Sequence, residues 1–431
     1  MISRLALIFI LSLGFVPNFA FSAKSVSCQI SVKNAPLLSR VLKGEKVSGF
    51  HLLVEFENIH NRPEYSRPVM QVEVPLVKIK ASEVEVSYFG NYQKAQSLIS
   101  GNSSIQLNWY QHPFNTSSVV PYYYKNSTSG LVGFLSASRS IFYEKDGDYF
   151  SIRTPTDHPR GPEGETVLAK TEIDSELDSA MTHMRTITEL DSIFGGDKGF
   201  DMALELAIVK TKPDKKIQRP RSGYMIRSLN FLKKPDHYYM PAFSLQTIGS
   251  AIAKKHNKTF HEFWKKHYAE ALGRTKAQLL LRYGLQMDFP HGQNILIELD
   301  STLKPTGRLV LRDIDDMSAN DSVVEVLNRL MERKKKQKFT HRSSKAATDL
   351  EYMWDRFSHR VISWSKDPKV FSEKIDQDWL KAYLNAYIKE IAAALKVSPK
   401  DIGKTSNEID SMLRSEWGQD RLLEYYEGLS L

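Results

Sequence analysis

The chain reads as an α+β protein with a β-rich N-terminal domain, a mixed centre and a helical C-terminal region. Three observations predict this. Strand-like apolar runs with hairpin signals crowd residues 24–150, helical periodicity first appears after Thr154, and helical patterns dominate from about residue 346. In the front part, Phe50 to Phe56 and Val72 to Val77 are read as strands. Asp146-Gly147 lies between the runs Ser140–Tyr143 and Tyr149–Ile152. An Asp-Gly pair between apolar runs is a strong hairpin signal, because both residues tolerate the positive φ of a tight turn. The Ser-, Asn- and Tyr-rich stretches near 100–130 read as long loops.

Beyond Thr154, Asp157 to Gly164 has the composition of an irregular loop. Glu176 to Leu190 carries apolar residues at Leu177, Met181, Met184, Ile187 and Leu190, the spacing of one helix face. Ala203–Val209 and Gly223–Leu229 follow as strands around a basic turn, and residues 243–285 are mostly helical. Two more apolar runs, Ile295–Ile297 and Leu309–Leu311, flank the linker Ser301–Arg308. Its Pro305 and Gly307 predict a hairpin-type turn. Pro368 and Pro399 punctuate the helical C-terminal region. The expected organisation is therefore 1–23, 24–150, 151–345 and 346–431, with no internal repeat.

Hydrophobic content of 41% and charged content of 25% are usual for globular domains, and 431 residues allow two or three of them. Residues 1–23 differ from the rest. Arg4 precedes an apolar run from Leu5 to Val16, and Ala20-Phe21-Ser22-Ala23 looks like a processing region. This is the pattern of a secretory signal peptide, so a periplasmic or secreted protein is expected, with a retained N-terminal anchor as the alternative. No other segment is expected to span a membrane. Cys28 is the only cysteine, so no internal disulfide is expected. A net charge of +9 suits an anionic partner. The densest basic run, Arg333 to Lys338, lacks aromatic interleaving and any nucleic-acid-binding module, so nucleic acid is not an expected partner. Oligomeric state leaves no mark in the sequence.

The chemistry sits at two strand ends. Pro290-His291-Gly292-Gln293-Asn294 leads into the first run of the hairpin, and Arg312-Asp313-Ile314-Asp315-Asp316 closes the second. The turn between them would bring Asn294 near Asp313. An amide oxygen beside a carboxylate is a hard-oxygen pairing suited to Mg²⁺ on a nucleoside triphosphate, and Asp315 is a further candidate oxygen ligand. Kinase-like sites divide metal binding in the same way between an Asn and an Asp. Upstream, Ser151-Ile152-Arg153-Thr154 offers two hydroxyls and a guanidinium to phosphate oxygens. Lys170 and Arg185 add two cations. Singly, each of these also reads as an ordinary surface or loop residue; their order and spacing carry the signal.

That order resembles the ATP-dependent siderophore synthetases of the aerobactin type, the IucA/IucC family. Its nucleotide site consists of a Ser-x-Arg-Thr loop, a following Lys and Arg, a His-x-x-Asn and an Arg-Asp. The matching residues are Ser151, Arg153 and Thr154, then Lys170 and Arg185, then His291 and Asn294, then Asp313. The stretches Ala180–Ile187, Gly223–Leu229 and Tyr283–Leu285 also look like the family, and the resemblance covers about residues 150–431. It implies a siderophore-synthetase-like or kinase-like nucleotide-binding centre that uses ATP and Mg²⁺. The implied substrate is a small anionic carboxylate, activated and condensed with an amine or hydroxyl. Ser151, Arg153, Thr154, Lys170 and Arg185 would hold the triphosphate, Asn294, Asp313 and Asp315 the metal, and His291 and Arg153 would act at the reacting groups. Residues 24–150 lack the family's His-Pro-x-His-Pro-x-x-Lys motif, so the resemblance implies nothing about citrate. A leader peptide is also foreign to a family that works where ATP is plentiful. Two other readings therefore stand beside the ligase: a kinase-like phosphotransferase, and a non-catalytic exported protein that binds an anion or a siderophore.

Overall fold

The computed structural model describes residues 35–58, 71–90, 92–100, 105–113, 128–136, 140–155, 174–212, 223–287, 292–314, 317–336, 338 and 373–429. The leader-like residues, Cys28, Lys170, His291, Asp315 and Asp316 lie outside these.

Two helices come first, α1 (Pro36–Leu42) and α2 (Gly49–Asn58). α2 is the stretch expected to be a strand, and the helix corrects that expectation. Phe50, Leu52, Leu53, Val54 and Phe56 are all at most 2% exposed. A helix buried on every side shows no apolar period, and a short apolar run alone does not separate helix from strand.

The next elements are β1 (Gln71–Lys80), β2 (Val84–Tyr88), α3 (Tyr92–Ile99), β3 (Gln106–Tyr110), β4 (Thr128–Ser136), β5 (Ser140–Lys145) and β6 (Asp148–Arg153). Asp146 and Gly147 take φ of 53° and 72°, the left-handed conformation a two-residue hairpin turn requires. After α4 (Asp174–Phe194) come β7 (Asp201–Met202), β8 (Glu205–Thr211), β9 (Gly223–Ser228) and β10 (His237–Pro241). One eight-stranded sheet has the order β2-β8-β9-β6-β5-β4-β1-β3, antiparallel throughout. This sheet runs straight across residue 150, because β6 pairs with β5 on one side and with β9 on the other.

The remaining described residues are mainly helical. α5 (Leu245–Lys255), α6 (Phe260–Trp264) and α7 (Glu270–Tyr283) occupy residues 245–283, with a π turn joining the last two. β11 (Leu285–Met287), β12 (Ile295–Asp300), β13 (Pro305–Leu311), β14 (Met317–Ala319) and α8 (Asp321–Arg333) follow. The chain closes with α9 (Glu373–Leu395), α10 (Ser406–Arg414) and α11 (Glu416–Leu429). β12 and β13 form the expected hairpin, although its turn falls at 301–304 and the Pro305 and Gly307 read as turn residues lie inside β13. The pair lies at the centre of a second sheet, β10-β12-β13-β7. α7 and α9 cross closely: a Cβ on Gly273 would lie 2.2 Å from the Tyr383 carbonyl oxygen. The architecture is thus the expected mixture, a large antiparallel sheet followed by a helical C-terminal region. Among the described residues, no helix is long and apolar enough to cross a membrane.

Strand alternation sorts the side chains of the large sheet. Tyr143, Phe150, Ile152, Tyr224 and Ile226 pack on one face with Leu98 and Ile99 of α3. The opposite face looks toward the second sheet. There Phe134 and Phe142 join Phe50 and Val54 of α2 with Leu296 and Val310 of the hairpin in a small apolar cluster. Polar residues at the rim of that junction make up the candidate site.

Candidate functional site

Alternation along β6 and β9 places Ser151, Arg153 and Arg227 opposite the apolar face of the large sheet, and Ser151 pairs directly across from Arg227. From the other side come the ends of the hairpin. The Arg312 N–H donates to the Asn294 carbonyl at 3.0 Å, which continues the β12–β13 ladder by one residue. The Asn294 and Arg312 side chains therefore follow the alternation of Leu296 and Val310 toward the large sheet. Asp313, one residue beyond, has φ of +62°. Left-handed backbone disfavours L side chains by about 1–2 kcal/mol, with Asp among the better tolerated.

Asp313 is the centre of the site. Its Oδ1 accepts from Arg227 Nη2 at 2.7 Å and from Arg153 Nη1 at 3.3 Å. Burial alone would raise its pKa, but the guanidiniums of Arg153, Arg227 and Arg312 outweigh burial and hold the carboxyl well below the usual range. Arg227 is in turn fixed by Glu205, whose Oε1 accepts from Nε at 3.0 Å and from Nη2 at 2.7 Å. Burial lowers the Arg227 pKa, yet Glu205 and Asp313 together raise it above its ordinary value. Arg312 pairs with the buried Glu57 of α2 at 2.8 Å and donates to the Gln293 carbonyl at 2.5 Å. Burial pushes the Glu57 carboxyl up, against the opposing pull of Arg312. His183 of α4 closes the far side, with Nδ1 2.8 Å from the Ile314 carbonyl oxygen.

Buried polar atoms at this junction make no hydrogen bond among the described residues: both amide atoms of Asn294 and Arg312 Nη2, with Thr154 Oγ1 next to Arg153 in the chain. Such atoms normally find partners. A cavity of about 20 Å³ opens among Ser136, Ser140, Ser151, Gln293, Arg227, Arg312 and Asp313. The junction therefore combines three guanidiniums, hydroxyls and an orphaned amide around one carboxylate, a set that suits an anion with several oxygens.

Of the nine residues singled out from the sequence, the structure gathers Ser151, Arg153 and Asp313, with Asn294 on the adjoining end of the hairpin. Thr154 follows Arg153 in the chain, buried but without a contact to the cluster among those described. Lys170, His291 and Asp315 lie outside the described residues. Arg185 is exposed on α4, two residues and about 200° around the helix from His183, so it is turned away from Asp313 rather than joined to the cluster. Sequence reading missed Arg227, Glu205, Glu57 and His183 as site residues. A signal existed for two of them: His183 interrupts the apolar stripe of α4, and Arg227 occupies an inward position in a fully buried stretch of β9.

Among the described residues, no group of three or more His, Cys, Asp or Glu side chains could hold a metal ion. Mg²⁺ bound with a nucleotide needs only one or two protein oxygens, since phosphates and water supply the rest. The orphaned Asn294 amide and the Asp313 carboxylate are the right donor types for that arrangement and not for a bare ion.

No protein-family model matches the chain, and no curated protein matches it in sequence. Solved structures do match. ATP-bound aerobactin synthetase IucA from Klebsiella pneumoniae aligns over 88% of this chain and 74% of its own, at 13% identity and a TM-score of 0.56. The petrobactin biosynthesis protein AsbB from Bacillus anthracis aligns over 90% and 73%, at 13% identity and a TM-score of 0.56. Aerobactin synthetase IucC from Klebsiella pneumoniae aligns over 90% and 77%, at 12% identity and a TM-score of 0.51. The likeness takes in residues ahead of 150, where the sequence showed no matching motif. At these identities what is shared is architecture, and the chain has the fold of the siderophore synthetases over most of its length.

Proposed function

We propose that the chain binds ATP at the junction of its two sheets and uses it to activate a small carboxylate for condensation with an amine or hydroxyl. The observation that carries this reading is the convergence of Arg153, Arg227, Arg312, Asn294 and Asp313 in a fold shared with an ATP-bound synthetase. Arg153 with the Ser151 and Thr154 hydroxyls would hold phosphate oxygens, and Lys170 would extend the same grip. Asn294 and Asp313 would hold Mg²⁺, which supplies charge neutralisation on the departing pyrophosphate. His291 would orient the carboxylate. Fixed cationic donors of this kind stabilise the charge that develops on the leaving group, and loss of one typically costs about 10²–10³ in rate. Release of AMP and pyrophosphate marks the ligase; ADP would mark a kinase-like phosphotransferase.

One observation favours a second reading. Asp313 is held by two guanidiniums, a state that also suits a protein that binds an anion without turnover. Calorimetric titration with ATP, with and without Mg²⁺, separates the two. Mg-dependent binding that is lost in Asp313→Ala supports a nucleotide-dependent enzyme, with the products then deciding between ligase and phosphotransferase. Binding that ignores Mg²⁺, or no binding of ATP at millimolar concentration, removes both nucleotide-dependent enzymes. Export remains a proposal from residues 1–23, checked by fractionating cells that express the full chain.

A further inference from the structure

Most of the polar groups at the junction have an evident use once a nucleotide is present, but Arg227 and the position of Asp313 do not follow from that use. A carboxylate destined for a metal gains nothing from lying on two guanidiniums, and Arg227, although it lies in the family-like stretch Gly223–Leu229, is not among the residues matched to the nucleotide site. We propose that Asp313 is a resident counter-ion. In the ligand-free chain it occupies an anion seat formed by Arg153 and Arg227, and an incoming phosphate takes that seat while the carboxylate swings out toward Asn294. The identity of the anion, a polyphosphate chain, rests on the nucleotide reading above.

Three features support the exchange. First, the Arg227 side of the seat is fixed without Asp313: Glu205 holds its guanidinium through both Nε and Nη2. That guanidinium is pre-aimed, so an anion that enters need not order it. Second, Asp313 sits on a backbone with φ of +62°, a strained position that the arginines help to maintain. Third, both amide atoms of Asn294, toward which the carboxylate would move, are buried and make no hydrogen bond among the described residues. Arg227 thereby becomes a phosphate-binding residue, with Glu205 as its positioning residue.

The test uses inorganic pyrophosphate without metal as the probe, titrated calorimetrically into the full chain and two variants. Asp313→Asn keeps the shape and removes the charge; Asp313→Gly removes the side chain and suits the positive φ. With the internal competitor gone, pyrophosphate should bind at least about tenfold more tightly, the worth of one hydrogen bond to a charged group. Adding Arg227→Gln to either variant should abolish that gain. An affinity no tighter than that of the unmodified chain overturns the proposal, as does a gain that survives Arg227→Gln. Failure of both variants to fold, with pyrophosphate present or absent, also overturns it. The nucleotide reading fails separately: an unmodified chain that ignores Mg·ATP, beside an Asp313→Asn variant that gains pyrophosphate, would keep the anion seat and reject ATP as its ligand.

Discussion

At the level of single residues, Asn294 makes the sharpest demand. It is fully buried, and among the described residues neither amide atom is hydrogen-bonded, a condition that costs about 1–3 kcal/mol where no ligand meets it. A residue kept at such a cost points to function rather than stability. Asn294→Leu is therefore expected to leave the thermal midpoint unchanged or raise it by a few degrees, while the Mg-dependent heat of ATP binding disappears. A clear loss of stability would mean that the amide has structural partners after all, and scanning calorimetry beside the ATP titration decides. The sequence made Asn294 and Asp313 legible because a hairpin with polar ends is a local pattern. Arg227, Glu205 and Glu57 were not, because their roles depend on strand order and on a helix approaching from elsewhere. Arg227 meets Asp313 only because β9 lies beside β6, a pairing between strands separated by α4, β7 and β8.

Secondary elements were legible where a helix keeps one apolar face, as in α4, or where a turn signal divides two apolar runs, as in the β5–β6 hairpin, and misread where they are buried all round, as in α2. The second sheet shows how buried polar groups then tie elements together. Glu298 on β12 accepts from Lys234 at 2.9 Å, from Thr306 of β13 at 2.7 Å and from Tyr239 of β10 at 3.1 Å. Burial opposes its ionisation, but the bonds from Lys234 and Thr306, with the Lys234 charge, hold its pKa below the ordinary 4.5. The sign follows directly: the folded state binds the proton less readily than the unfolded one. This contribution to stability is present in full above pH 4.5 and is lost as the pH falls through the depressed value. Glu298→Gln should thus lower stability at neutral pH and flatten the acid limb of the stability profile. Urea denaturation across the acid range measures both; an unchanged acid limb would mean that other carboxylates dominate it.

Across the whole molecule, the candidate site exists only because the two sheets face each other, with α2 between them. The change of texture after Thr154 suggested a boundary near residue 150, since apolar strand runs give way there to helical periodicity. Strand order follows a different logic. β6 spans 148–153 and has β5 on one side and β9 on the other, while β2, from the front part of the chain, pairs with β8 from the centre. α2 likewise lies against β10 and delivers Glu57 to Arg312. A chain begun at residue 151 would lose half of β6 and all of β1 to β5. It would leave β8 and the remaining half of β6 with open edges and remove Phe50, Val54, Phe134 and Phe142 from the cluster under the hairpin. Unpaired edges and an uncovered apolar face lead to aggregation rather than to an independent domain. Residues 151–431 expressed alone are therefore expected to be insoluble or to lack a cooperative thermal transition, and to bind no ATP. A soluble fragment with a sharp melting transition and native-like ATP affinity would show that the nucleotide site is built by the centre and the helices without the first half of the sheet. In that case the guanidinium cluster would have to be held by β8, β9 and the hairpin alone.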